Sequence, residues 1–142
     1  MKYDLERFIK AQGYDYDQAL SEMKNGRKQS HWIWYIFPQL KGLGFSSMSD
    51  FYGIDGMGEA KAYMEHPVLR ERLLEITHVL LTIKSSDPSR VMGYLDDLKL
   101  KSSMTLFAEV APEQEVFLQV LDKFFDGKKD QKTLQLLNKK DH

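Results

Sequence analysis

Apolar positions recur along most of this chain at spacings of three and four, the pattern of helices that bury one face. Leu5, Phe8, Ile9 and Gln12 share a face, with Asp4 placed as an N-cap. Tyr16, Ala19, Leu20 and Met23 repeat the pattern, and Gly26 stands where a helix end wants a left-handed residue. A third helix is predicted over 58–65; Pro67 disfavours helical backbone at His66, which reads as a loop residue. Pro67 then opens the longest helix, where its missing N–H costs nothing. Leu69, Leu73, Ile76, Leu80 and Ile83 form its stripe, and Leu74, Thr77 and Leu81 widen it enough to imply neighbours on two sides. Ser85-Ser86-Asp87-Pro88 breaks that helix and starts a short turn through Met92. Asp96 begins another, with Leu100, Met104, Phe107 and Ala111 in register. Pro112 is expected to stop it and start the next, whose Val116, Phe117, Val120, Leu121 and Phe124 make the cleanest stripe. Gly127 ends that one, and Asp130 can cap a last helix carrying Leu134 and Leu137, with 138–142 a frayed tail. The pattern predicts an all-α fold: one compact domain over 1–142, about seven to nine short helices, not a simple four-helix bundle.

Two segments resist the pattern, 27–47 and 51–57. The first holds Ser30-His31-Trp32-Ile33-Trp34-Tyr35-Ile36-Phe37-Pro38-Gln39, with both tryptophans of the protein. A helix there is apolar all round and a strand is apolar on both faces. The block is therefore either deep core or partly the lining of a pocket. Gly42 and Gly44 give it a turn-rich exit.

Composition narrows the classes. The 142 residues carry 20 Lys and Arg against 21 Asp and Glu, a net charge of −1. That balance argues against gripping nucleic acid by bulk charge, so a nucleic-acid partner is the weakest reading. Cysteine is absent, which removes disulfides, thiolate metal sites and a cysteine nucleophile. At 42% hydrophobic and 29% charged, the chain reads as a folded soluble domain. It opens MKYDLERFIK, without the apolar run of a secretory signal, and no apolar stretch approaches the ~20 residues that span a bilayer. The default expectation is a cytoplasmic protein with no membrane partner.

Familiar motifs fail on inspection. Gly53-Ile54-Asp55-Gly56-Met57-Gly58 has phosphate-loop glycine spacing but is followed by Glu59 rather than lysine. It is expected to be a flexible loop leading to a helix. His31, His66, His78 and His142 are too scattered for a local metal site, and no metal or other cofactor is expected. His78 is expected to pack or face water. Three features remain. His31-Trp32-x-Trp34 sets an imidazole beside two indoles able to stack on a base or sugar. Asp96 and Asp97 open a helix, where one of them can serve as a cap. Lys99, Ser102 and Ser103 follow on one face, suited to an anion. Lys28 and Ser30, before the aromatic block, are suited to a phosphate.

At these residues the chain resembles the domain of unknown function 1810 family, small bacterial proteins often mislabelled calpastatin. The resemblance covers nearly the whole length. It runs through Asp4-Leu-Glu-Arg-Phe8, Ser30-His31-Trp32-x-Trp34-x-x-Phe37-Pro38-Gln39-Leu40, Glu59-Ala60-x-Ala62-Tyr63-x-x-His66-Pro67 and Asp96-Asp97-x-Lys99-Leu100-x-Ser102-Ser103-Met104-Thr105-Leu106-Phe107. It implies a mainly helical fold and brings no established activity. Two functions then compete. The first is an enzyme or binder for a small nucleotide-like or sugar-phosphate ligand, with glycosidic hydrolysis as the candidate reaction. In it His31, Asp96 and Asp97 are the catalytic candidates, and Lys28, Ser30, Trp32, Trp34, Lys99, Ser102 and Ser103 the ligand-binding ones. The second is a non-catalytic interaction module whose aromatic block is structural core. Oligomeric state is left open.

Overall fold

Prolines, glycines and polar caps set most of the helix boundaries. The computed structural model describes residues 3–140, and among them lie nine helices: α1 (Glu6–Lys24), α2 (Ile33–Ile36), α3 (Ser47–Tyr52), α4 (Gly56–Glu65), α5 (Pro67–Thr82), α6 (Pro88–Met92), α7 (Asp96–Val110), α8 (Val116–Phe125) and α9 (Gln131–Lys140). The domain is all-α, and its only strand-like pairing among the described residues is a single parallel bridge, Leu40 to Ile54. The expected cap appears at Asp130, which accepts from Thr133 N, and Asp87, not singled out as a cap, caps α6 by accepting from Ser89 N. α9 runs to Lys140, and the rest of the tail expected to fray, 141–142, lies outside the described residues.

Several boundaries differ from expectation, each for a local reason. The first two predicted helices are one: α1 continues through Gly13 and, at 19 residues, is longer than α5 with 16. The two apolar faces keep a common register, which outweighs one unfavourable glycine. Asp4 does not cap α1; Leu5 takes that place without a side-chain bond, and the Asp4 carbonyl accepts from Arg7 instead. His66 is a cap and not a mere loop residue: its Nδ1 accepts from Val68 N at 3.2 Å. His78 faces water, its Nδ1 2.7 Å from the Leu74 carbonyl. α4 starts at Gly56 rather than 58, and α8 at Val116 rather than Pro112. Neither Asp96 nor Asp97 is the cap of α7; Leu95 holds that position.

α1 lies on α5, α5 on α8 and α8 on α7, with α4 and α9 closing against α7. The wide stripe of α5 meets α1, α4 and α8, which is why it needed more than one apolar row. Rings run through the centre from Phe8 to Tyr63 (5.2 Å), Phe107 (5.3 Å) and Phe117 (5.8 Å), and all four are fully buried. The Arg7 guanidinium grips Glu59 at 2.8 Å and also donates to the Phe51 and Gly53 carbonyls. Glu59, with its side chain 4% exposed, accepts from Asp55 N as well. The loop expected to be flexible is therefore fastened at both ends.

Candidate functional site

The aromatic block is mostly core, organised by a carboxylate on α1. Trp32, Ile33, Tyr35, Ile36 and Phe37 are buried. Glu22 receives five hydrogen bonds. Gln29 N, Ser30 N and Trp32 Nε1 donate to Oε1, and Ser30 Oγ and Gln18 Nε2 to Oε2. Burial alone would raise its pKa. The donors outweigh burial and hold it at about 2. Glu22 thus fixes the turn after α1 and sets the indole of Trp32.

Lys28 joins this block to the start of α7. Its ammonium lies over the Trp32 ring, 5.1 Å from the centroid, donates to the Ser30 carbonyl and sits 2.7 Å from Asp96. Lys99 approaches the other Asp96 oxygen at 3.3 Å.

The remaining candidates disperse. His31 is exposed, and its ring makes no hydrogen bond among the described residues. Asp97 is buried; Ser89 Oγ donates to it at 2.8 Å and Leu98 N at 2.9 Å, tying α6 to α7. Ser103 points into the core with an unpartnered hydroxyl, and so does not share a solvent face with Lys99. Ser102 is nearly buried and donates to the Leu98 carbonyl.

Lys99 and Ser102 do meet, around a cleft between the 42–46 loop and α7 that Trp34 does not line. The cleft has a volume of about 400 Å³. Gln39, Ser49, Lys99 and Ser102 form one wall; Phe45, Leu95 and Leu98 form an apolar rim. A second cavity, of about 10 Å³, shares Gln39, Ser49 and Lys99 with the cleft and is lined by Trp34. That is room for about one water-sized group. The Trp34 indole N–H is buried without a partner.

The walls are fixed by local chemistry. Pro38 ends α2, and the Leu40–Ile54 bridge (Ile54 N to Gln39 O, 2.9 Å) clamps the backbone at Gln39. Ser46 caps α3 by accepting from Ser49 N at 3.1 Å. Gly44 lies so close to Ser49 that a Cβ there would fall 2.3 Å from Ser49 Oγ, which only glycine avoids. Leu95 sits at φ 79° and ψ −44°, a region that residues with a Cβ avoid, yet its side chain is 52% exposed.

Sequence reasoning did not single out Glu22, Gln39 or Phe45 as site residues. Gln39 is the most telling. Its side chain is 8% exposed, and its amide makes no hydrogen bond among the described residues. Its place directly after Pro38, at the end of an apolar run, was the available signal. Among the described residues no group of three or more His, Asp and Glu is placed to hold a metal, and no helix is long and apolar enough to cross a membrane.

A family model described as a protein of unknown function, DUF1810, matches residues 2–137. The crystal structure of the conserved hypothetical protein Rv1873 from Mycobacterium tuberculosis is similar at 41% identity with a TM-score of 0.94, over 96% of this chain and 97% of that one. No curated protein matches the chain.

Proposed function

The chain belongs to the DUF1810 family of proteins of unknown function, and on that premise we propose that it binds a small phosphorylated ligand in the cleft between the 42–46 loop and α7. One observation carries this reading: Gln39, 8% exposed as a residue, lines the cleft with an amide that has no partner among the described residues. That amide stays open to solvent, so a ligand can replace its water, for about 0.5–1.5 kcal/mol. Lys99 and Lys132 line the same cleft and suit a phosphate. The apolar rim suits the non-charged part of the molecule.

Binding without hydrolysis fits the placements best. The cleft's Asp130 is committed to capping α9, Asp96 is held by two lysines, and His31 does not line the cleft. Calorimetry and thermal shift with nucleoside monophosphates and sugar phosphates test the reading. A saturable rise in melting temperature that disappears in Lys99→Met supports it; no rise with any compound overturns it. A second reading rests on the exposed rim of Phe45 (99%), Leu95 and Leu98, which also suits a non-catalytic module for an apolar protein partner. It predicts that all those small molecules are inert.

A further inference from the structure

Gln39 and Phe45 define what the ligand's uncharged part must be. A carboxamide carries a hydrogen-bond donor and an acceptor side by side in one plane. The backbone at Gln39 O and Lys41 N is clamped by the bridge to Ile54, which fixes where the Gln39 side chain leaves the chain. The group that matches it is a planar edge with an acceptor next to a donor, as on adenine or uracil. Phe45 stands at the rim of the same cleft with its ring 99% exposed, although nothing in the fold needs an aromatic ring in water there. It is joined to the Gln39 wall through Gly44, whose Cβ position lies 3.6 Å from Gln39 Nε2. Gly42, at φ 100°, opens the segment that carries the ring. Leu98 and the strained Leu95 supply further apolar rim. A flat ring entering this cleft meets an amide at its edge and a phenyl group beside its face, and stacking on an exposed aromatic is favourable for any base.

We infer that Gln39 is a specificity-determining residue that reads the edge of a nucleobase stacked on Phe45, so that the cleft takes a nucleoside monophosphate in preference to the sugar phosphate alone. This rests on the phosphorylated-ligand reading and narrows it. Lys99, held by Asp96, and Lys132 take the phosphate, and the base supplies the discrimination. A site that hydrogen-bonds one edge of its ligand disfavours analogues that lack that edge.

Calorimetry with AMP, UMP, ribose 5-phosphate and inorganic phosphate tests it on the full chain. At least one nucleotide should bind roughly ten-fold or more tighter than ribose 5-phosphate. Gln39→Leu should weaken the nucleotide more than ribose 5-phosphate, so that the preference falls several-fold. Phe45→Ala, at an exposed position that does not endanger folding, should weaken only the nucleotide, by roughly ten-fold. Equal affinity for nucleotide and ribose 5-phosphate in the unmodified protein overturns this inference and leaves the phosphorylated-ligand reading standing. Full nucleotide preference in Gln39→Leu or in Phe45→Ala also overturns it. Failure of all four compounds to bind overturns both.

Discussion

The Lys28 ammonium lies 2.7 Å from Asp96, and that contact fastens the aromatic block to the first turn of α7. The two ends of the contact are unequal. Lys28 has one carboxylate partner and a side chain 6% exposed, whereas Asp96 also holds Lys99 and is 21% exposed.

The inequality fixes the order of two variants. Asp96→Ala leaves a buried ammonium without its counter-ion and should cost roughly 2–4 kcal/mol. Lys28→Met keeps the packing on Trp32 and leaves Asp96 with Lys99, so it should cost less, about 1–2 kcal/mol. Urea unfolding of both variants and of the double mutant measures this; equal costs contradict the assignment.

Glu22 predicts a pH dependence. Its folded-state pKa of about 2 lies below the ordinary 4.5. The stabilisation is therefore complete above pH 4.5 and is lost as pH falls through 2. Glu22→Gln should lose roughly 2 kcal/mol at neutral pH. The gap between the two proteins should close with acidification over that window. A gap that stays constant to pH 2 would mean the five donors do not act on the charge.

Leu95 predicts a gain. Leu95→Gly relieves the positive-φ backbone at the cost of a more flexible unfolded chain. The balance is a net stabilisation of about 0.5–1 kcal/mol. Leu95→Ala keeps the strain and should be less stable than the glycine variant. The reverse order in denaturant midpoints would place the value of Leu95 in its side-chain contacts.

His31 and Arg7 should behave oppositely, although both lie in family-like motifs. His31→Ala should stay within about 0.5 kcal/mol, because the ring is exposed and unbonded. Arg7→Met strands Glu59 in the interior and should cost roughly 3 kcal/mol. Melting temperatures of the pair decide the matter directly.

Local order in this protein was legible wherever one residue sets its own neighbourhood. Pro67, Gly26 and Asp130 act through backbone φ, a missing N–H or a cap three residues away, and their effects fell where the chain alone placed them. The stripes of α5 and α8 record which face each helix buries. Asp4 and Pro112 misled because a cap or a start is only offered by sequence and is taken up when nearby groups do not compete.

The sequence by itself determined an all-α domain, most of its helix ends, and the concentration of its aromatics near residues 31–37. Only tertiary structure decided what those residues do. Trp32 and Trp34 stand two positions apart in the same block. One gives its indole N–H to Glu22 and the other keeps it buried and unpaired. The same holds for Asp96 and Asp97, of which one meets Lys28 and Lys99 and the other Ser89. Periodicity reports the face a residue presents, but a polar group's partner arrives from elsewhere in the chain. Which groups are satisfied, and which, as at Gln39, are left without a protein partner, is decided only when α1, the 42–46 loop and α7 have closed on one another.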